Sequence, residues 1–147
     1  MATKRTNPPW SVSAVEYDKS LKSFGVNPLV RDVEASKNFA EQVLNASVVY
    51  WNEEFAVLRV GETQWMLHAD RTYADNPLLG FVEGVEGRGQ GVELYLYERD
   101  PDEAEAAARA RGHVVLAGSL DKPHGARDCY LLDPGGYCWV ASHPLAD

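Results

Sequence analysis

Two cysteines among 147 residues cannot staple a fold, so no disulfide framework is expected and the chain must rely on a hydrophobic core. No run approaches the roughly 20 apolar residues that a membrane-spanning helix needs. The opening Met1 to Trp10 has neither the apolar centre nor the small-residue cleavage site of a signal peptide. These absences predict a soluble, cytoplasmic protein with no membrane partner. Basic residues are the scarcer charge, 14 Lys and Arg against 22 Asp and Glu, for a net charge of -8. A phosphate polyanion would be repelled, and no basic stripe interleaved with aromatics offsets that, so nucleic acid is excluded as a partner. The four histidines, His68, His113, His124 and His143, make neither HExxH nor a clustered Cys/His spacing. A Gly-x-Ser-x-Gly elbow is missing too. Gly87-Arg88-Gly89-Gln90-Gly91 precedes a strand pattern instead of opening a helix, so it reads as a flexible linker and not a phosphate cradle.

What is present is ordinary globular composition, 45% apolar and 24% charged, at a single-domain length. Residues 1–22 read as a polar arm with a short helix over Ala14 to Leu21. Phe24 to Arg31 alternates as a strand, with Pro28 marking it as an edge. Asp32 then offers an N-cap to a helix over Val33 to Leu44. Three strand patterns follow, Ser47 to Trp51, Phe55 to Val60 and Gln64 to Ala69, with breaks short enough for an antiparallel meander. Residues 73–90 form an inter-module loop, with an extended piece over Phe81 to Val85. Val92 to Tyr97 restarts the order. Asp100-Pro101-Asp102-Glu103 opens a helix that Gly112 ends. Strands at Val114 to Ala117, Asp128 to Leu132 and Tyr137 to Ser142 follow, the first two joined by a loop over Gly118 to Ala126. His113 and His143 are expected to be solvated. Cys129 and Cys138 read as reduced thiols.

The halves repeat: Arg31-Asp32-Val33-Glu34-Ala35 recurs 68 residues on, from Arg99, and each time joins a strand to a helix followed by extended runs. Residues 23–72 and 91–143 are therefore read as two βαβββ modules, with 144–147 a tail. The fold class is α+β, eight strands curving around a cleft with the helices outside.

Asn27 to Ser36, Gly91 to Leu96 and above all Gly125 to Trp139, with its Arg127-Asp128 strand and Asp133-Pro134-Gly135-Gly136 turn, resemble the vicinal oxygen chelate superfamily. That group holds glyoxalases, ring-cleaving dioxygenases and bleomycin-resistance proteins, and the resemblance covers Phe24 to Ser142. It implies two modules sharing one cleft, commonly in a homodimer. It also implies metal ligands at inward positions of each module's first and last strands, which fall here at Gly25, Met66, Glu93 and Val140. Only Glu93 offers the oxygen or nitrogen donor that a hard or borderline divalent ion requires. No metal and no cofactor is expected.

The expected ligand-binding residues are Asn27, Leu29, Tyr50 or Trp51, Met66, His68, Glu93, Tyr95, Cys138 and Val140. Aromatics suit planar or cationic ligands, at about 0.5–2 kcal/mol per contact. Trp65 and Trp139 alternate away from this set into the core. The reading is a metal-independent, dimeric small-molecule binder, closest to bleomycin-resistance proteins. The alternative is a glyoxalase-, isomerase- or dioxygenase-like enzyme with a displaced metal or an acid–base pair of His68 and Glu93. A non-enzymatic interaction module with a filled cleft is the third reading.

Overall fold

Asp32 and Asp100 each turn a carboxylate back to accept from a backbone amide, of Ala35 and Glu103 respectively, and a helix follows both times. The computed structural model describes residues 12–146. The first half holds α1 (Ala14–Ser20), β1 (Leu29–Val30), α2 (Val33–Gln42), β2 (Ser47–Asn52), β3 (Phe55–Val60) and β4 (Thr63–Ala69). A 3-10 turn (Asp70–Tyr73) and α3 (Leu78–Val82) lead into the linker. The second half holds β5 (Glu93–Tyr97), α4 (Pro101–Ala110), β6 (Val115–Asp121), β7 (Ala126–Leu132) and β8 (Cys138–Pro144). No described helix is long and apolar enough to cross a membrane.

The strands pair in the orders β1-β4-β3-β2 and β5-β8-β7-β6. In both sheets the first strand runs parallel to the last and the other neighbours are antiparallel. The repeat in the sequence is thus a repeat in topology. The strands form two four-stranded sheets, and among the described residues no ladder joins them into the single curved sheet that was expected. Only Leu29 and Val30 of the predicted first strand enter a ladder. Pro28 has no N–H to give, although its carbonyl and that of Val26 accept from His68 and Met66.

One core serves both halves. Phe39, Leu44, Leu58, Trp65 and Leu67 meet Leu96, Ala108, Leu131 and Trp139 in a single buried cluster. The Trp65 and Trp139 rings meet with centroids 5.0 Å apart and planes tilted by 42°. Each such side chain contributes about 1.5–3 kcal/mol by leaving water. α2 reaches into the second half, where Arg99 donates through Nε and Nη2 to the Val43 carbonyl and His113 packs edge-on against Phe39. His113 is thus half-buried and its pKa lowered by that burial, not solvated as expected. The helix-covered faces meet in this core, so the open sheet faces lie on its far sides.

Three other segments differ from expectation. Phe81 to Val85 is not extended: Leu78–Val82 is a helical turn, entered through Asn76 Oδ1 accepting from the Leu78 amide. β6 runs through Gly118 and Ser119 instead of ending before them: Leu120 and Asp121 pair with Asp128 and Arg127 of β7, and in the irregularity before them the Ser119 amide donates to Glu105 on α4 at 2.7 Å. The glycine linker is pinned. Arg88, with a side chain 1% exposed, pairs with both oxygens of Asp70 and donates to the Leu29 carbonyl, on which Tyr137 also converges.

The Ser119 amide, with Arg109, holds the Glu105 carboxyl at about 2, against an ordinary 4.5. A depressed folded-state pKa gives stability that is present above the unfolded value and lost as pH falls. Urea midpoints of the wild type and Glu105→Gln should therefore differ most above pH 4.5 and converge toward pH 2.

Candidate functional site

The open face of the first sheet is built by strand alternation. β4 puts Trp65, Leu67 and Ala69 into the core and turns Met66 and His68 the other way, beside Phe55 of β3. α1 lies across this face, with the Tyr17 hydroxyl donating to Gln64 Oε1 at 2.8 Å. Beneath it is a cavity of about 480 Å³, lined in part by Val15, Asn27, Phe55, Met66, His68 and Tyr73. His68 Nδ1–H donates to Asn27 Oδ1, and Asn27 Nδ2 donates to the Tyr73 hydroxyl at 3.0 Å. The imidazole sits 5.1 Å from the Phe55 ring and 5.7 Å from that of Tyr73. Burial lowers its pKa below the ordinary 6.5, so it is neutral at pH 7.

The second sheet's open face is tyrosine-rich. Tyr95 and Tyr130 flank Val140 in register, and their hydroxyls meet 3.2 Å apart, which leaves Val140 fully buried. That hydrogen bond and burial raise the Tyr95 pKa. Asp128, buried below, accepts from Ser142 Oγ at 2.6 Å and from the Tyr95 hydroxyl at 3.4 Å, with His124 Nε2 3.3 Å away. Tyr97 stacks on Tyr95 at 5.4 Å. Tyr95, Tyr97, His124 and Ser142 line a cavity of about 430 Å³. A larger one, about 840 Å³, takes in Arg31, Glu93, Tyr95, Leu116 and Cys138.

The expected ligand residues thus divide. Asn27, Met66 and His68 share the cavity under α1, while Glu93, Tyr95 and Cys138 line the other side of the molecule. His68 and Glu93 are not brought together, so the expected acid–base pair is not assembled within one chain. Trp51 is buried in the core, with Lys37 Nζ 4.5 Å over its ring. Leu29 is buried at the side chain and offers only its carbonyl, already taken by Arg88 and Tyr137. Tyr50 is buried, and its hydroxyl oxygen accepts from Asn52 Nδ2 at 3.0 Å. Both cysteines are free thiols, and burial raises Cys129 to about 11. Sequence reasoning missed Tyr73, which sits in an unpatterned loop and carried no signal. It also missed Asp128 and Tyr130, which the alternation around Cys129 marks as sharing the face of Val140.

The donor set does not fit the metal that the resemblance implies. Gly25 has no side chain, Met66 offers a thioether and Val140 an alkyl group, leaving Glu93 alone. Among the described residues no three His, Cys, Asp or Glu gather where an ion would be held.

The architecture, two βαβββ modules with parallel first and last strands, is that of the vicinal oxygen chelate fold. It is shared with solved structures. A glyoxalase-related enzyme from Fulvimarina pelagi aligns with a TM-score of 0.65 at 20% identity, over 84% of this chain and 88% of that one. A glyoxalase/bleomycin resistance protein/dioxygenase from Nocardioides aligns at 0.59 and 22%, over 89% and 91%. A lactoylglutathione lyase from Agrobacterium tumefaciens aligns at 0.58 and 18%, over 84% and 95%. No protein-family model matches the sequence, and no curated protein does.

Proposed function

We propose that this chain is a metal-independent, cytoplasmic small-molecule-binding protein that holds its ligand without transforming it, in the manner of a bleomycin-resistance protein. The observation that carries the reading is the chemistry of the open faces. Where the resemblance implies metal ligands stand Gly25, Met66 and Val140, while Phe55, Tyr73, Tyr95 and Tyr97 supply aromatic surface beside the cavities. Aromatic faces hold planar or cationic groups, and a net charge of -8 steers a cation inward. With the two faces on opposite sides of the core, a second copy of the chain is the partner that would bring a first-sheet face against a second-sheet face.

The test is a calorimetric titration with bleomycin at low and moderate salt. Calorimetry is preferred to indole fluorescence because Trp51, Trp65 and Trp139 sit in the core, away from the cavities. Saturable binding near one ligand per chain, weakened by salt, is expected. No heat up to high micromolar drug would remove bleomycin as the ligand.

The neutral His68 favours one second reading, an acid–base enzyme of the lyase or isomerase type. One structural neighbour is a lactoylglutathione lyase. Turnover of hemithioacetal substrates that disappears in His68→Ala would replace the binding reading.

A further inference from the structure

The polar groups around the cavity under α1 form a directed chain. Asn27 gives its Nδ2 hydrogen to the Tyr73 oxygen, so its Oδ1 is the end turned to His68. An amide oxygen only accepts, so His68 Nδ1 must carry the proton. Nε2 is then the lone-pair nitrogen, and among the described residues it makes no hydrogen bond. Tyr73, having accepted from Asn27, keeps its own hydroxyl hydrogen. The cavity therefore presents one strong acceptor and one donor, on rings whose centroids lie 5.7 Å apart, in a lining that includes Val15, Phe55 and Met66.

The charged and titratable groups facing this space are few. α1 brings Tyr17, Asp18 and Lys19, the turn after β4 brings Tyr73, and β3 and β4 contribute only Phe55, Met66 and His68 itself. Asp18 and Lys19 offset one another, so no net charge is asked of a ligand. A volume of about 480 Å³ suits a molecule of two or three fused rings.

We propose that this cavity binds a neutral hydroxylated aromatic, a phenol. Its O–H donates to His68 Nε2, its oxygen accepts from Tyr73, and its ring lies against Phe55 and Met66. The proposal rests on the reading of the open faces as ligand-binding surfaces and names the ligand class for one of them. A phenol oxygen is donor and acceptor at one atom, which is what the His68–Tyr73 pair requires. An aryl ether of the same shape can only accept, and would leave Nε2 unpaired.

The experiment uses the full chain and two probes, 2-naphthol and 2-methoxynaphthalene, titrated by calorimetry at pH 7.5 and pH 5. The expected result is that 2-naphthol binds about tenfold more tightly than the ether at pH 7.5. The preference should vanish in His68→Phe, which keeps the ring volume, and return in part in His68→Gln, which restores an acceptor. It should also weaken as pH falls through the His68 pKa, because an imidazolium has no acceptor left. Imidazole 15N chemical shifts give a readout independent of affinity and should show the Nδ1–H tautomer. Equal affinity for the two probes, an unchanged preference in His68→Phe, or an Nε2–H tautomer would each overturn the proposal. Binding of bleomycin but of neither naphthalene would also overturn it while leaving the wider reading intact. Failure of all three compounds to bind would count against both.

Discussion

Asp133→Ala is expected to lower stability by about 3 kcal/mol, the largest loss from any single side chain considered. The carboxylate is 8% exposed and fully engaged. Its Oδ1 accepts from the amides of Gly135 and Tyr137, at 2.8 and 3.0 Å, and its Oδ2 from Trp139 Nε1–H at 3.0 Å. Alanine strands all three donors in a tight, largely buried turn. Gly136 in that turn has φ +87, and a Cβ there would collide with the Glu86 carbonyl. Burial pushes the Asp133 carboxyl above its ordinary value while its hydrogen-bond donors pull it back. Asp133→Asn, which keeps one carbonyl oxygen, should lose less than the alanine variant. Urea unfolding followed by circular dichroism measures both. A midpoint within 1 kcal/mol of wild type for Asp133→Ala, at unchanged slope, would mean the turn is held from elsewhere.

Arg88→Met should cost about 2 kcal/mol. The methionine keeps the apolar stem but removes a guanidinium that bonds Asp70 at 2.6 and 2.8 Å and the Leu29 carbonyl at 3.1 Å. The loss stays below the usual figure for a broken buried pair because Asp70 is still 27% exposed and can be hydrated. Nε of Arg88 is buried with no partner, so the pair is not optimal even in the wild type. The sign with pH is fixed. The hydrogen bond from Arg88 holds the Asp70 carboxyl below its ordinary 3.8, so the pair stabilises above that pH and fails below it. Urea midpoints for Arg88→Met and wild type should therefore converge in acid. In a double-mutant cycle, Asp70→Asn added to Arg88→Met should cost little more.

Much of the fold could be read from local chemistry. Asp32 and Asp100 announce the two helices because an N-cap is a contact within three residues, and β4 alternates strictly from Trp65 to Ala69. The duplication was visible because both copies kept the same strand-to-helix joint. What local pattern could not give was whatever a distant residue decides. β6 extends because Leu120 and Asp121 find β7 while Glu105 takes the Ser119 amide, and the linker is fixed because Arg88 finds Asp70. The site was half legible for the same reason. Alternation placed Met66 with His68, and Tyr95 opposite Val140, on the correct faces of their sheets. It says nothing about which faces meet, so it could not show that Trp65 packs against Trp139 and sends His68 and Glu93 to opposite sides. Nor could it find Tyr73 as the group that Asn27 links to His68, since Tyr73 carries no pattern.

Among the described residues every strand ladder closes inside its own half, and the two halves join through side chains: a tilted indole pair, the Arg99 and Arg111 reaches to the end of α2, and the Arg88 clamp. Refolding can thus assemble each sheet from comparatively short-range contacts and leave the docking of the halves, with Trp65 meeting Trp139, as the last event. Those two indoles would then record docking separately from strand formation. Their near-ultraviolet circular dichroism should recover after the backbone signal has returned.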